Sequence, residues 1–556
     1  MALNIRIAGE AGQGVQTTGN LLVRAFASAG LHVFATQSYM SRIRGGLNWF
    51  DIRVGERELF SGREKADLLV ALNADALEAL RGEVTDPGVV LFDGDGGPDV
   101  HSLAFTETAK EVSGSAQLAN TVAAGAVSAL LGYEVDRLCD SLAAQFGKKG
   151  GGLAESNVRC ARRGAELAAR LPVSIEAPRP SGAPRNVCSG SEAVGLAAAT
   201  AGVKFATAYP MTPSTGVFTF LAGAADEYGI VVEQAEDEIA AINMVCGATY
   251  AGVPAMTTTS GGGFALMAEG LSLAGMMELP AVVLLAQRPG PATGLPTRTG
   301  QEDLAFALHA GHGEFPRALF APGTAEQAYE LTRRALETAH RFQTPVIILI
   351  DQFLADLQRN VSPLDRSPHP IDRHVVLDPP PDYVRYAVTG DGVSPRALPG
   401  SGPFVVCDSD EHTEDGHITE DLGVRVRLQD KRMAKGKGMT ADARPPEVYG
   451  ATEADILLVA WGSTYGPCRE AVDILAAQGR AVAMVHFAQV WPLDAEAVRP
   501  LLAGTGARRV ISVEGNGTGQ FASIMRGTGA IDGCELLPRY DGMPFTGEWI
   551  AERVLR

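Results

Sequence analysis

The stretch Tyr209-Pro210-Met211-Thr212-Pro213-Ser214-Thr215 closes an apolar run and precedes a helical pattern. Its two prolines fix the backbone around Thr212 and withhold two amides from a sheet, which presents the threonine hydroxyl on a stiff turn at a strand's end. Open α/β sheets bind ligands at such strand ends. Taken alone, however, the turn is better explained as a helix start in which Ser214 or Thr215 is the N-cap.

One acid, Glu238, stands out in the small-residue helical pattern of residues 234–248. Three acids crowd the amino end of this helix, and the helix dipole suffices to explain Glu236 and Asp237. Glu238 is nearest to the apolar stretch, where shielding from water is expected to raise the pKa of its carboxyl group. A carboxylate of this kind is suited to hydrogen-bonding a protonated heterocycle.

The next landmarks in the chain are Ser260-Gly261-Gly262-Gly263 and Arg288. With them, residues 190 to about 356 resemble the pyrimidine-binding domain of the 2-oxoacid:ferredoxin oxidoreductases, thiamine diphosphate enzymes that oxidatively decarboxylate 2-oxoacids. The resemblance implies that Glu238 bonds N1′ of the thiamine aminopyrimidine, that Thr212 contacts the substrate, and that Arg288 pairs with the 2-oxoacid carboxylate. Two residues of the turn are implied as further cofactor contacts, Tyr209 and Pro210.

The chemistry explains why these residue types are needed. A carboxylate at N1′ favours the imino tautomer, whose 4′-nitrogen removes the C2 proton of the thiazolium. Arg288 offers a planar fork that matches a carboxylate, and the Thr212 hydroxyl can donate to a ketone or carboxylate oxygen, so the two are expected to orient the 2-oxoacid. The alternative for Arg288 is an exposed loop cation before Pro289.

Length and composition bound what surrounds this site. The 556 residues predict three or four domains at roughly 150 residues each. A hydrophobic content of 46% with 20% charged residues is ordinary for a soluble globular protein. The amino terminus runs straight into a β pattern without a signal-peptide layout, which predicts a cytoplasmic protein. The net charge of -18 argues against general nucleic-acid binding.

The seven cysteines are far apart and form no Cys-x-x-Cys pair, so we expect reduced, mostly buried thiols. Iron–sulfur clusters need several thiolates at short spacings, so the electron carrier of an oxidoreductase built on this chain must lie on a partner subunit. The family resemblance implies that this carrier is a [4Fe-4S] centre. The run Gly94-Asp95-Gly96 with Asn120 imitates a magnesium diphosphate motif, but Asn120 opens a helical pattern. Mg²⁺ is accordingly also expected on the partner, and no metal on this chain.

The first domain is predicted at residues 1–171, with a doubly wound fold and a glycine loop before its first helix. The spacing Gly-x-x-Gly-x-Gly departs from the nicotinamide fingerprint, which disfavours an NAD-dependent dehydrogenase. Residues 9–15 and 38–46 instead resemble the gamma domain of the same oxidoreductases, fused here before the alpha portion. The resemblance implies coenzyme A nearby, and the alternative is a subunit contact; the candidate residues for either role are Gly12, Gly14, Arg42 and Arg44.

A multidomain α/β protein is the predicted fold class. After a proline-rich linker at 172–187 we expect the pyrimidine-binding domain at 188–362 and an irregular connecting segment at 363–445. A strand–helix–strand pattern at 446–556 predicts a carboxy-terminal, transketolase-like α/β domain. Residues 408–417 combine two histidines with five acids, and a solvated loop explains them better than a metal site.

The stretches 293–299 and 309–317 resemble the 2-oxoglutarate-type members of the family, whose substrate has a second carboxylate. Arg298 and His312 are the candidate cations for it, or else structural loop residues. The overall hypothesis is an alpha subunit that binds a beta subunit as (αβ)2, shares thiamine diphosphate with it, forms an acyl-coenzyme A and reduces ferredoxin. Pyruvate or broad 2-oxoacid use, an NAD-dependent dehydrogenase and a non-catalytic scaffold are the alternatives.

Overall fold

The computed structural model describes residues 1–40, 45–147 and 152–556. This part of the chain forms two compact units. The first unit contains residues 1–188, 356–363 and 546–549, and the second contains residues 189–355, 364–545 and 550–556. The domain boundaries given above stay predictions. Within the described ranges, no helix combines the length and the apolar character needed to cross a bilayer.

The strands are numbered in chain order. They are β1 (Ala2–Ala11), β2 (His32–Tyr39), β3 (Gly45–Gly55), β4 (Ala66–Ala71), β5 (Val84–Phe92), β6 (His101–Ser102), β7 (Asn186–Ser189), β8 (Phe205–Ala208), β9 (Val231–Gln234), β10 (Ala255–Thr259), β11 (Val282–Gln287), β12 (Ala318–Phe320), β13 (Val346–Asp351), β14 (Gln358–Val361), β15 (Glu447–Gly450), β16 (Ile456–Trp461), β17 (Val482–Phe487), β18 (Gln489–Trp491), β19 (Arg509–Glu514) and β20 (Glu535–Pro538).

The α-helices are numbered in the same way. They are α1 (Val15–Ser28), α2 (Ala74–Leu80), α3 (Phe105–Ser113), α4 (Ala119–Leu130), α5 (Val135–Phe146), α6 (Leu153–Ala168), α7 (Gly190–Thr200), α8 (Thr215–Gly223), α9 (Ala225–Tyr228), α10 (Glu238–Tyr250), α11 (Gly261–Leu266), α12 (Ala268–Met276), α13 (Leu304–His309), α14 (Ala325–Phe342), α15 (Gln352–Asp356), α16 (Leu422–Ala441), α17 (Tyr465–Ala477), α18 (Ala495–Ala503), α19 (Gln520–Gly527) and α20 (Gly547–Val554).

The first unit is built on a sheet with the strand order β6-β5-β4-β1-β3-β2-β14-β7. Strand β1 runs parallel to β4 but antiparallel to β3, so the sheet is mixed. Helices α4 and α6 pack with their backbones in close contact, since a Cβ at Gly125 would lie 1.9 Å from the Ala161 carbonyl oxygen. Asn120 lies buried in the first turn of α4, which confirms the helix predicted at this position.

The second unit holds two sheets. The larger has the order β18-β12-β13-β11-β10-β8-β9 and is parallel except for β18, and the smaller has the order β15-β17-β16-β19-β20. Strands β11 and β13 are buried along their whole length, as expected for a parallel sheet covered on both faces. The multidomain α/β prediction is confirmed. The turns that follow β8, β10 and β11 lie at one edge of the larger sheet, and this edge carries the site residues predicted above.

The prediction of an irregular segment over residues 363–445 is wrong for its last part. The 20-residue helix α16 lies there, and its buried residues recur at the spacing of one helix face. That face is largely charged, and its buried residues are Leu428, Lys431, Arg432, Lys435 and Met439. An apolar-periodicity search misses such a helix because cations look like solvent-facing positions.

The inward face of α16 pairs with one buried carboxylate, Glu278. Its oxygens lie 2.7 Å from Lys431 Nζ and 2.5 Å from Lys435 Nζ, and all three side chains are almost completely buried. Burial alone would raise the pKa of Glu278, but Lys435 and Lys431 outweigh it and hold the pKa below its ordinary value. Arg385 Nη2 donates to the Glu278 carbonyl at 2.9 Å. Charge pairing thus fastens residues 385–435 to the domain with the larger sheet.

The prediction of a solvated loop at residues 408–417 is also wrong for two residues. His412 is fully buried and stacks on Tyr386, with ring centroids 3.9 Å apart. Glu411 accepts hydrogen bonds from Arg432 Nη2 and Arg425 Nη1, each at 2.8 Å. These groups find partners within the protein, which composition alone does not reveal. Across the described part of the chain, no group of three or more His, Cys, Asp or Glu side chains is placed to hold a metal ion.

Candidate active site

The proline turn after β8 is held in place by Arg288. Arg288 Nη1 donates a hydrogen bond to the Thr212 carbonyl at 2.6 Å. The guanidinium is only partly accessible, and desolvation by burial lowers its pKa from the ordinary value. The alternative of an exposed loop cation is therefore wrong. Ser214 occupies the N-cap position of α8, but its hydroxyl donates to the Met211 carbonyl at 2.7 Å and caps no helix amide.

The first two residues of the turn are exposed to solvent. Tyr209 is 42% exposed, and Pro210 is exposed as well. Both follow β8 directly at the edge of the sheet where the glycine run also lies. Their predicted role as cofactor contacts stays a prediction.

Glu238 is the first residue of α10, and its carboxyl group is buried. Its neighbour Asp237 is the N-cap, accepting a hydrogen bond from Ala240 N at 2.7 Å. Glu238 is 3% exposed, and its Oε1 has no hydrogen-bond partner among the described residues. Desolvation raises the pKa of this carboxyl group, helped by the nearby charge of Asp237. A desolvated carboxyl oxygen in this state can accept a hydrogen bond from a bound ligand.

The glycine run after β10 makes room for two carboxyl groups. A Cβ added at Gly263 would lie 2.2 Å from Glu238 Oε1, and one added at Gly261 would lie 2.7 Å from Asp303 Oδ1. Among the described residues, nothing beyond the chain neighbours and the backbone of the same helix lies within 4 Å of the corresponding point at Gly262. The first and third glycines are therefore required by close approach of side chains, and the second is not.

Asp303 is a site residue that the sequence did not reveal. It stands at the N-cap position of α13, where an aspartate is unremarkable. Its carboxylate makes no capping hydrogen bond and instead lies over Gly261. Burial raises its pKa to about 6, with Glu302 adding to the shift and Arg288 opposing it. Residue type and spacing therefore point to a cap, whereas the geometry places this acid in the site.

The two candidate cations for a second carboxylate have other neighbours. Arg298 Nη1 lies 3.7 Å from the Met543 sulfur. His312 is exposed on a cavity of about 600 Å³, and its amide donates to the Ser272 hydroxyl at 2.7 Å. The lining of that cavity includes none of the three predicted catalytic residues. Thr212, Arg288 and Asp303 thus form one group with the glycine run and Glu238, and His312 faces a different space.

The glycine loop of the first unit borders a cavity of about 480 Å³. Gly12 and Gly14 have φ angles of 101° and 76°, a left-handed conformation that glycine adopts without strain. The cavity also has the first turn of α1 and the aromatic ring of Trp49 in its wall. Arg42 and Arg44, the other two candidates in this region, lie outside the described residues.

Three family models match successive parts of the chain. Residues 4–167 match "Pyruvate ferredoxin/flavodoxin oxidoreductase", residues 196–431 match "Pyruvate flavodoxin/ferredoxin oxidoreductase, thiamine diP-bdg", and residues 449–526 match "Transketolase, C-terminal domain". The middle match contains the whole candidate site. Fold and site together define the chain as a subunit of a thiamine diphosphate-dependent oxidoreductase.

Relatives extend the likeness over the full chain. The "2-oxoacid:ferredoxin oxidoreductase subunit alpha" of Sulfolobus sp is 30% identical, with 100% of this chain and 97% of the relative covered. The "2-oxoglutarate oxidoreductase subunit KorA" of Mycobacterium tuberculosis is 29% identical, with 98% and 90% covered. The chain belongs to the alpha subunits of the 2-oxoacid:ferredoxin oxidoreductases.

A solved structure agrees with this family. The 2-oxoglutarate:ferredoxin oxidoreductase from Magnetococcus marinus, with 2-oxoglutarate, coenzyme A and succinyl-CoA bound, is 33% identical to this chain. The superposition has a TM-score of 0.91 and covers 100% of this chain and 99% of the other. The predicted family is thereby confirmed over both units.

The glycine run yields a test with a matched control. Gly263→Ala places a methyl group against Glu238 Oε1, so we expect thiamine diphosphate to bind about 5- to 150-fold more weakly, which corresponds to roughly 1–3 kcal/mol for overpacking. Gly262→Ala meets open space and should bind the cofactor like the wild type. Calorimetric titration of cofactor-depleted enzyme measures both. Equal affinities in the two variants would contradict a role for the Glu238 carboxyl position.

Proposed function

We propose that this chain is the gamma-fused alpha subunit of an enzyme that converts 2-oxoglutarate to succinyl-CoA and passes the electrons to ferredoxin. The proposal is carried by the buried Glu238 Oε1, which has no hydrogen-bond partner among the described residues and lies at the strand edge that also holds Thr212 and Arg288. The substrate choice rests on the 2-oxoglutarate named for the Magnetococcus marinus relative and on the sequence resemblance at residues 293–299 and 309–317.

Glu238 fits the aminopyrimidine of thiamine diphosphate. When bound, this cofactor supplies a C2 carbanion that adds to the ketone of the substrate and then accepts the electrons of the broken bond. The buried Oε1 is the acceptor that a protonated N1′ requires, and burial strengthens such a hydrogen bond. Because desolvation raises the pKa of Glu238, its carboxylate accepts a hydrogen bond from a protonated N1′ more strongly than a solvated carboxylate does.

Arg288 and Thr212 are proposed to orient the substrate. The hydrogen bond from Arg288 Nη1 to the Thr212 carbonyl fixes the guanidinium at the turn and leaves its other nitrogens for the 2-oxoacid carboxylate. Partial burial strengthens this pairing because water screens the charges less. The distal carboxylate of 2-oxoglutarate keeps Arg298 and His312 as its proposed cations, and the half-buried guanidinium of Arg298 supports the first of these.

A partner subunit is proposed to cover the site. Large apolar side chains stay exposed on the elements that build it, including Ile239 at 46% on α10 and Leu266 at 50% on α11. Exposed apolar patches of this kind mark protein interfaces. We propose that a beta subunit binds here and contributes Mg²⁺, the diphosphate site and a [4Fe-4S] centre, and that two such pairs form (αβ)2. A cytoplasmic location is proposed because all seven cysteines are free thiols, as in a reducing compartment.

Coenzyme A is proposed to bind at the cavity beside the glycine loop of the first unit. The first turn of α1 borders this cavity, and the amino end of a helix favours phosphate groups. Gly12 and Gly14 allow the backbone to approach such a ligand closely. Coenzyme A is named as a ligand of the Magnetococcus marinus relative.

The activity is tested with the co-expressed alpha and beta chains. We expect reduction of a low-potential viologen dye that requires both 2-oxoglutarate and coenzyme A. Glu238→Gln should lower kcat by about 10²-fold or more, the usual size of an acid–base contribution. Glu236→Gln, an exposed acid two residues away, should leave kcat unchanged. Dye reduction that ignores coenzyme A, or that favours pyruvate, would refute the proposed reaction or substrate.

The partner surface is tested by purification. Leu266→Asp puts a charge into the proposed interface, so a tagged alpha chain should retain little beta chain, iron or acid-labile sulfide. Val448→Asp, which is 48% exposed on the strand β15, is the matched control and should co-purify normally. Retention of a full complement of partner and iron by Leu266→Asp would place the beta subunit elsewhere.

The coenzyme A site is tested with one added charge. Gln16→Glu, in the first turn of α1, should raise the KM for coenzyme A by about fivefold through repulsion of phosphate, a charge effect of up to about 1 kcal/mol at a helix end. The same change suits the helix dipole, so stability should not fall. Gln478→Glu alters the net charge equally at an exposed residue of the second unit and should leave this KM unchanged. A raised KM for 2-oxoglutarate alone would contradict this location.

A further inference from the structure

The carboxylate of Asp303 lies in the candidate site but does not cap the helix that it precedes. At the N-cap position of α13 it caps no amide, although Asp421 and Asp237 do so at the starts of other helices. Its Oδ2 is buried and has no hydrogen-bond partner in the described part of the chain. No described cation lies within ion-pair distance of this carboxylate, although the charge of Arg288 acts on it, so its desolvation is only partly compensated.

The position of this carboxylate is fixed by its surroundings. Its backbone amide donates to Gln287 Oε1 at 3.1 Å, which ties Asp303 to the end of β11, immediately before Arg288. Its Oδ1 occupies the space that a side chain at Gly261 would fill. Asp303 therefore lies between the glycine run, which also accommodates Glu238, and the arginine that is proposed to hold the substrate.

We propose that Asp303 takes up a proton from solvent when the 2-oxoacid binds, so that the substrate carboxylate replaces the Asp303 carboxylate as the counter-charge of Arg288. This inference rests on the proposed pairing of Arg288 with the substrate. The proton converts the Asp303 carboxylate into a neutral carboxylic acid, and no other bond forms or breaks. Asp303 thus makes substrate binding depend on pH.

Few charged groups act on the Asp303 carboxylate. Arg288 is the cation whose charge acts on it, and Glu302, the preceding residue, is the additional acid. The side chains that approach from α19 and from the end of β11 are the neutral Gln520 and Gln287. A second carboxylate beside a single partly buried guanidinium creates like-charge repulsion, and protonation of the more desolvated acid relieves it.

The direction of the pH effect follows from linkage. Burial already raises the pKa of free Asp303 to about 6, and a bound anion raises it further. Well below the pKa of free Asp303 the acid is protonated in both states, and the dissociation constant is independent of pH. Between the pKa values of the free and bound states, binding takes up one proton and the dissociation constant rises about tenfold per pH unit.

The experiment uses the complete alpha–beta enzyme and N-oxalylglycine, a 2-oxoglutarate analogue whose carboxylates stay ionised from pH 6 to 8.5 and whose amide does not react. Calorimetry at pH 7.5 in buffers of different ionisation enthalpy counts the protons taken up. We expect net uptake of up to one proton per site for the wild type and none for Asp303→Asn, which should also bind the analogue with an affinity that no longer falls from pH 6 to 8.5. Glu302→Gln, the matched control, should keep the uptake.

The outcomes separate this inference from the proposed function. A wild-type enzyme that binds the analogue with no proton uptake, or an Asp303→Asn variant that keeps it, overturns the role of Asp303 and leaves the proposed function intact. A wild-type enzyme that neither binds the analogue nor reduces the dye with 2-oxoglutarate overturns both. If Asp303→Asn does not fold, the wild-type count decides alone, because binding without proton uptake already refutes the inference.

Discussion

Two desolvated carboxyl groups approach the same short glycine run, and the rest of the site is arranged around that constraint. Glu238 reaches it from the start of α10, and Asp303 reaches it from the start of α13. Each has a buried oxygen without a partner in the described residues, so each carries an unfavourable desolvation energy. Glycines remove the side chains that would otherwise keep the acids apart. The site therefore stores electrostatic energy that ligands can release.

The parallel sheet explains how residues far apart in sequence come to share this run. The carboxyl ends of β8, β10 and β11 lie side by side, which brings the proline turn, the glycine run and Arg288 to one edge. The buried strands between them provide a rigid base, because side chains packed on both faces leave little freedom. The functional residues therefore lie in the loops that follow the strands, and the strands determine the distances between these loops. The same division is seen in other open α/β enzymes.

Much of this could be predicted from the sequence. Apolar runs punctuated by glycine and proline indicated the α/β architecture, and the motifs around Thr212, Glu238 and Arg288 indicated the family. Asp303 was missed because an aspartate before a helix is indistinguishable from a cap until its side chain is seen. Helix α16 was missed because its buried face is cationic, and a buried lysine is recognised only once its partner is known. What sequence patterns omit are pairings between distant residues.

The long separation between Glu278 and its lysines affects how the protein can be synthesised. Lys431 follows Glu278 by 153 positions. At roughly 5–20 residues per second, the carboxylate leaves the ribosome roughly 8 to 30 s before its counter-charges. If the sheet folded before α16 was synthesised, it would bury the Glu278 carboxylate without its lysine partners. Completion of this domain must therefore wait for α16, or Glu278 must stay hydrated until then. Translation speed and chaperone contact over that interval therefore belong to the folding problem of this subunit.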